Sequence, residues 1–105
     1  METEATLSSY HIFNAVAETG NISKAAKALY ISQPAISRAV SRLEESLSVK
    51  LFIRGSRGVR LTEEGKLLYE HTRSAFESLR QGEENLRRIH TLGIGHLRIG
   101  VSTTL

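Results

Sequence analysis

One segment of the chain, residues 63–90, runs for 28 residues without a proline and carries an apolar repeat of helical period. As a helix it would be about 42 Å long, and a chain of 105 residues cannot bury such a helix in one small core. Positions at alternating steps of four and three form a stripe along it, which is typical of paired helices. We therefore predict a linker helix that joins two chains into a homodimer through Leu68, Thr72, Ala75, Leu79, Gly82, Leu86 and Ile89.

The packing of this helix has an alternative, in which the whole segment lies as one amphipathic helix against its own domain. Ala75 and Gly82 are small, so they bury little apolar surface but let a second helix approach closely. Gly82 also costs about 1 kcal/mol relative to alanine within a helix, which allows a bend there. Three residues off the stripe are expected to pack on the preceding part of the chain: Leu67, Tyr69 and Phe76.

Two helices are predicted in the first thirty residues. The first covers about residues 6–18, ends at Gly20, and has an apolar face made of Leu7, Tyr10, Phe13, Val16 and Ala17. The second is short, and Ser23 is expected to cap it. Ala25, Ala26 and Leu29 lie on one side of this second helix, where the two alanines would let a crossing helix come close.

A third helix is predicted after the very short connection at residues 30–32. Ser32 can cap its N-terminus, and Pro34 falls in the first turn, where its missing N–H costs nothing. Ile31 is expected to fill the turn between the second and third helices. The helix runs to about Leu47, and its apolar stripe is Ile36, Val40, Leu43 and Leu47.

Residues 51–54 and 59–62 are two β-prone runs separated by four turn-prone residues, which predicts a hairpin. Thr62 can cap the linker helix, and Glu63 and Glu64 suit its positive end. Residues 91–95 are predicted to be a hinge, and 97–101 alternate as a strand would. The expected organisation is a head at 1–62, a linker helix at 63–90, and at 91–105 a hinge and the opening strand of a further domain.

Positive charge is concentrated in one part of the chain. Residues 20–62 carry eight Lys and Arg against two Glu, a net charge of +6, whereas residues 63–90 carry five against six, a net charge of −1. The whole-chain value of +3 hides this difference. A basic segment of this kind is expected on a surface that faces phosphates, although a solvated surface has the same composition.

Two helices joined by a short turn, the second rich in small polar residues at its start, indicate a helix-turn-helix that binds double-stranded DNA. Gln33 can pair with adenine and Arg38 with guanine in the major groove. Lys24 and Arg42 are expected to neutralise phosphates. An arginine of the hairpin turn, such as Arg57, can approach a narrow minor groove. The alternatives are a solvated helix face and a turn that serves only solubility.

The residue blocks along the head resemble one family closely. They are Phe13–Glu18 with Gly20, Ser23–Leu29, Ile31–Arg38, Leu43–Leu47, Leu51–Arg54 and Arg60–Gly65, and the Ser-Gln-Pro-Ala-Ile-Ser-Arg sequence at 32–38 is very specific. Over residues 7–102 the chain resembles the N-terminal DNA-binding domain of LysR-type transcriptional regulators. The resemblance implies a mainly α fold: a winged helix-turn-helix head of three helices and a two-stranded wing, followed by a long dimerising helix.

The resemblance also assigns roles to matching positions. Base-reading positions are Gln33, Pro34, Ser37 and Arg38. The wing arginine is Arg54, and Ser23, Ser32 and Thr62 match positions that hold the DNA backbone. Two departures concern the third helix: Ser48 stands where the family usually has glycine, so this helix is expected to end differently, and Ala39 replaces a longer polar residue.

In full-length members of the family a domain that binds a small-molecule effector follows, and tetramers are expected only there. This chain is expected to hold no cofactor. Its sequence contains no Cys or Asp, and its four His are scattered, which argues against a metal site and an enzyme. The acidic N-terminus and the absence of long apolar runs argue against a signal peptide and a membrane span. The resemblance further implies a bacterial cytoplasmic, nucleoid-associated protein.

Two other functions remain open from the sequence. The head could be a protein-interaction module, or it could be an architectural binder without sequence preference. The +6 segment and Arg38 argue against the first, and salt-dependent retention on DNA separates it from a DNA-binding domain. A comparison of affinities for preferred and random DNA separates an architectural binder from a sequence-specific one. The leading prediction is a sequence-specific transcriptional regulator that binds an inverted repeat as a dimer.

Overall fold

Residues 6–93 are described by the computed structural model. In chain order this part contains α1 (Leu7–Thr19), α2 (Ile22–Leu29), α3 (Gln33–Leu47), β1 (Phe52–Gly55), β2 (Gly58–Leu61) and α4 (Glu63–Gly93). The two strands form one antiparallel sheet. This mainly helical architecture with a small wing confirms the predicted fold class. None of the described helices is both long and apolar enough to cross a membrane.

The chain divides into two compact units after Arg73. The first unit therefore contains α1 to α3, the wing and about the first three turns of α4. Its core has ten buried apolar residues, which come from α1, α2, α3 and the start of the wing: Phe13, Ala15, Val16, Ala25, Ala26, Ile36, Val40, Leu43, Leu51 and Phe52. Leu68 and Tyr69 of α4 are partly buried against this core. The rings of Phe13 and Phe52 are 5.3 Å apart between centroids, so the start of the wing is part of this core.

α1 forms as its apolar repeat predicts, with one exception. Phe13 and Val16 are buried, and Tyr10 and Ala17 pack beside them. Gly20 ends the helix with φ 69°, a left-handed conformation that glycine adopts without steric cost. Leu7 was expected on the apolar face but is 66% exposed, because it lies in the first turn, beyond the reach of the core.

α2 begins two residues earlier than the sequence suggested. Its cap is Asn21, whose Oδ1 accepts a hydrogen bond from the Lys24 N–H at 2.9 Å. The prediction that Ser23 caps the helix is wrong, since Ser23 lies inside the first turn. Asparagine and serine are equally good N-caps, so the choice between Asn21 and Ser23 depends on where α1 ends.

Both ends of α3 are defined by backbone geometry. Ser32 Oγ accepts from the Ala35 N–H at 3.2 Å, which confirms the predicted cap. Ser48 adopts φ 60° and ψ 35°, and its N–H closes the helix on the carbonyls of Glu44 and Glu45. The serine therefore takes the left-handed conformation of the usual glycine, and the expected change of helix end does not occur. Leu47 was expected in the apolar stripe but is 36% exposed.

The wing has a tighter turn than predicted. Gly55 pairs with Gly58, so only Ser56 and Arg57 lie between the strands. Gly58 has φ 123°, and a Cβ at this position would lie 2.5 Å from the carbonyl oxygen of Gly20. Next to it, the Val59 N–H donates to that same oxygen at 3.2 Å. The end of α1 thus holds the second strand of the wing.

The start of α4 packs closely on the first unit. Thr62 Oγ1 accepts from the Gly65 N–H at 2.9 Å, which confirms Thr62 as the cap. A Cβ on Gly65 would lie 2.1 Å from the Leu51 carbonyl oxygen, so only glycine fits. Two turns later, Thr72 is 6% exposed and its hydroxyl donates to Asn14 Oδ1 at 2.7 Å.

These contacts correct the predicted helix stripe at its N-terminal end. Leu68 packs against the core of its own chain, as does Tyr69, and Thr72 is buried there too, so neither Leu68 nor Thr72 forms part of an open stripe. Tyr69 behaves as predicted. Leu67 was expected to pack on the head but is 63% exposed, because it is turned about 100° around the helix from Leu68.

The second unit holds the rest of α4, whose side chains from residue 77 to 91 are all exposed. Arg80 links two turns of this helix through Glu77 at 2.6 Å and Glu84 at 3.1 Å. Hydrogen bonds from Arg80 lower the pKa of Glu77 below its usual value. The helix continues to Gly93, so residues 91–93 are helical and not part of a hinge. The predicted strand at 97–101 lies outside the described residues.

Candidate nucleic-acid interface

The N-terminal turn of α3 projects two of the predicted base-reading residues into solvent. Gln33 is the first residue of the helix and Pro34 follows it, and both are exposed. The Ser32 cap holds this turn in place, because its hydroxyl oxygen is engaged with the backbone of Ala35. The unpaired N–H groups of a helix N-terminus are favourable to anions. Since Pro34 has no N–H and the Ala35 and Ile36 N–H groups are bonded to Ser32, the Gln33 N–H is the group of this turn left for a phosphate, while the Gln33 side chain is exposed to a base edge.

The outer face of α3 carries the basic residues of the helix. Ile36, Val40 and Leu43 turn inward and are at most 2% exposed, which directs Arg38 and Arg42 away from the core, where both are exposed. Ser37 lies at the edge of this face and is half-buried. Of the predicted base-reading residues, Ser37 is thus the least accessible.

The turn between α2 and α3 differs from the prediction. Ile31 was expected to fill it but is 37% exposed, because the closure comes from the backbone: the Ile31 N–H donates to the Ala26 carbonyl at 3.1 Å. Tyr30 occupies the left-handed region at φ 59° and is 93% exposed. Ala25 and Ala26 are buried, as expected for the side of α2 that faces the other helices.

Lys24 and Ser23 lie together at the start of α2. Lys24 is exposed and Ser23 is half-buried. The backbone of Lys24 is fixed by the Asn21 cap, so its long side chain starts from a rigid position. Asn21 is a residue of this region that the sequence reasoning missed, although its position directly before the helix is a usual signal for a cap.

The three arginines of the wing do not share one face. Arg54 pairs with Val59 and Ile53 pairs with Arg60. Because side chains alternate across a strand, Arg54 and Arg60 point to opposite faces of the two-stranded sheet. Arg57 lies in the turn itself, and all three arginines are exposed. Arg57 therefore lies at the tip of the wing, and each face of its two-stranded sheet carries one further arginine.

Thr62 lies at the junction of the wing and α4. Its hydroxyl donates to the Lys50 carbonyl at 2.6 Å and accepts from Gly65, and its own N–H donates to the Leu51 carbonyl at 3.0 Å. These groups are already occupied by the protein. Any role of Thr62 at a DNA backbone must use the remaining acceptor capacity of its oxygen.

The electrostatics of the basic surface are simple. Across residues 6–93, the only salt bridge made by a basic residue of the 20–62 segment joins Lys50 to Glu44, at 3.9 Å. In this part of the chain the exposed guanidinium groups of Arg38, Arg42, Arg54 and Arg57 have no carboxylate within salt-bridge distance. Their charges are therefore available to an external anion.

The family model for bacterial regulatory helix-turn-helix proteins of the lysR family matches residues 7–66. This match spans α1, α2, α3, the wing and the cap of α4. The chain belongs to the LysR family. The recognised sequence blocks thus lie within the helix-turn-helix and wing that the structure shows, and family membership confirms the resemblance stated from the sequence.

Curated LysR relatives are similar over most of this chain. A RuBisCO operon transcriptional regulator of Allochromatium vinosum is 37% identical over 100 residues, 95% of this chain and 33% of that protein. An SDS degradation transcriptional activation protein of a Pseudomonas species is 41% identical over 88 residues, 84% of this chain and 29% of that protein. The chain thus spans about a third of the length of these relatives.

Solved structures of the LysR family have the same fold. The BenM DNA-binding domain in complex with catB site 1 DNA superposes with a TM-score of 0.72 at 36% identity, covering 82% of this chain and 96% of that one. The CbnR DNA-binding domain in its DNA complex gives a TM-score of 0.68 at 36% identity, covering 82% and 99%. Because nearly the whole of each domain is matched, the similarity includes the helix-turn-helix, the wing and α4.

Proposed function

We propose that this chain is the DNA-binding part of a LysR-type transcriptional regulator, with α3 in the major groove and the wing beside the minor groove. One observation carries the proposal. The basic residues of α3 and the wing are exposed and lack carboxylate partners within the described residues, in a fold that matches DNA-binding domains solved on DNA. The match to transcriptional regulators gives no support to an enzyme.

Different residues would make different kinds of contact. Gln33 and Arg38 can pair with base edges, and Pro34 and Ser37 allow close approach. Phosphate contacts, which give affinity without reading sequence, fall to a second set of residues. This set consists of Ser23, Lys24, Ser32, Arg42, Arg54, Arg57 and Thr62, which lie on α2, α3, the wing and its junction with α4.

The protein would bind as a homodimer through the exposed part of α4. Leu79, Leu86 and Ile89 are 54%, 68% and 65% exposed on one stripe, and burying them against the same stripe of a second chain would remove apolar surface from water. Ala75 and Gly82 complete that stripe, and a Cβ at Gly82 would meet nothing within 4 Å. Two heads related by twofold symmetry favour an inverted-repeat site.

The full-length regulator is proposed to respond to a small-molecule effector and to act in the bacterial cytoplasm at the nucleoid. Support comes from the relatives, which are about three times as long as this chain and are transcriptional regulators. Tetramers are proposed only for that longer protein.

Selection of bound duplexes from a random DNA pool tests the proposal. We expect enrichment of an inverted repeat with half-sites about one helical turn apart, or a multiple of that spacing. A pool that stays random after repeated rounds, while the protein still retains DNA, would show an architectural binder. No retention at 50 mM salt would exclude DNA as the partner.

A further inference from the structure

Glu44 is an acidic residue within the basic segment, and its carboxylate is turned inward. The side chain is 11% exposed. Its Oε2 accepts hydrogen bonds from the Leu51 N–H at 2.7 Å and from the Phe52 N–H at 3.2 Å. Its Oε1 lies 3.9 Å from Lys50 Nζ. A side chain on the third helix thus binds the backbone where the wing begins.

The backbone groups that Glu44 binds have few alternatives. Leu51 is 1% exposed and Phe52 is 8% exposed, so water has poor access to their N–H groups. A buried donor without a partner is destabilising, whereas a hydrogen bond to a carboxylate is stronger than one between neutral groups. The opposite strand is held separately, by the bond from the Val59 N–H to the Gly20 carbonyl.

Charge alone does not explain an acid at this place. A carboxylate near a DNA-facing surface repels phosphates, so an exposed one would weaken binding. Glu45, the next residue, is exposed, so its charge is open to solvent. Glu44 differs because its oxygens are directed at two amide groups and not at solvent.

We infer that Glu44 is a positioning residue of the DNA interface, which fixes the first strand of the wing relative to α3. This inference rests on the proposed function. Thr62 binds the carbonyls of Lys50 and Leu51, and Glu44 adds the bonds to the Leu51 and Phe52 N–H groups that tie the start of β1 to α3. β1 leads directly to Arg54 and the turn at Arg57. Arg57 then reaches the DNA only while α3 occupies the major groove in the matching orientation.

The consequence is a measurable coupling between Glu44 and Arg57. One phosphate contact contributes a slope of about −0.9 in log K against log salt. The contact therefore strengthens binding about eightfold at 0.1 M salt relative to 1 M salt. Arg57→Ala should therefore weaken binding of the parent protein about eightfold. In a Glu44→Ala background, Arg57→Ala should weaken it about twofold or less, because β1 has lost its side-chain attachment to α3.

The experiment is a set of double-mutant cycles on a selected duplex at 0.1 M salt. Arg57→Ala is introduced into the parent and into Glu44→Ala, Glu44→Gln and Glu45→Gln. Glu45→Gln is the matched control, since it removes the same charge from the same turn, and it should retain the full Arg57 effect. Glu44→Gln keeps one acceptor oxygen, so its Arg57 effect should lie between those of the parent and Glu44→Ala.

A second measurement on the free protein does not depend on DNA or on the alanine variant folding. Hydrogen exchange of the Leu51 and Phe52 amides should be faster in Glu44→Gln than in Glu45→Gln, while the Val59 amide exchanges equally in both. Unchanged exchange at Leu51 and Phe52, or a full Arg57 effect in Glu44→Ala, would overturn the inference. If Arg57→Ala has no effect on the parent while exchange behaves as expected, the failure lies in the proposed role of the wing.

Discussion

Replacing Ser48 with glycine should stabilise the protein. Ser48 ends α3 with φ 60° and ψ 35°, a conformation that costs a residue with a Cβ roughly 1–2 kcal/mol. Glycine avoids that cost but loses about 0.5–1 kcal/mol through the greater freedom of the unfolded chain. Taken at the middle of these ranges, the net gain is about 0.8 kcal/mol, which for a domain of this size raises the midpoint of thermal unfolding by about 3–6 °C.

The assay is thermal unfolding followed by circular dichroism, at one fixed protein concentration because dimerisation makes the midpoint depend on concentration. Ser41→Gly is the matched control: Ser41 is exposed within α3, so glycine there should lower stability by about 0.5 kcal/mol. A midpoint for Ser48→Gly equal to or below that of the parent would refute the reasoning about the left-handed cap.

Three further predictions concern the wing junction, the dimer and the salt dependence. Gly65→Ala should destabilise or unfold the first unit, because its Cβ would lie 2.1 Å from the Leu51 carbonyl oxygen; a thermal midpoint like that of the parent would contradict this. Leu79→Lys should produce monomers in sedimentation at tens of micromolar, whereas Leu67→Lys, off the stripe, should leave the dimer intact. The same oligomeric state for both variants would show that this stripe of α4 is not the dimer interface. Dimeric heads that neutralise about six to eight phosphates should give a slope of roughly −5 to −7 for log K against log salt. A slope near zero between 50 and 200 mM salt would show that the protein does not contact phosphates.

Local signals in the sequence predicted most of the helix ends. Gly20, Ser32 and Thr62 end or begin helices as expected, because each effect involves residues within one turn of the chain. The exception is Asn21, which was missed because Ser23 gives the same signal two residues later. Such ambiguities are resolved by the preceding helix, which is not a local property.

Contacts between distant residues could not be predicted in this way. The bond from Thr72 to Asn14 joins residues 58 positions apart, and a helical repeat shows which residues share a stripe without showing what covers them. Leu68 and Thr72 were therefore assigned to a dimer stripe although they pack on their own chain. Glu44 carried no sequence signal, since its partners are backbone N–H groups.

In the candidate interface too, features within one helix could be predicted from the sequence, whereas features that depend on strand pairing could not. The exposure of Gln33 and Arg38 was predictable from the positions of Ile36 and Val40 on one helix. In contrast, the opposite directions of Arg54 and Arg60 depend on the strand register, which the sequence analysis did not assign. The family resemblance supplied roles for these residues, and those roles remain predictions.

The central claim is that α3 reads bases while its neighbours supply affinity, and comparison of Arg38→Ala with Lys24→Ala tests it most directly. Affinities are measured for both variants and the parent on a selected duplex and on a scrambled duplex of the same length. Arg38→Ala should lose about 1–3 kcal/mol on the selected site and much less on the scrambled one. Lys24→Ala should lose similar amounts on both and reduce the salt slope by about one. Equal losses on both duplexes for Arg38→Ala would show that Arg38 holds the backbone and that bases are read elsewhere.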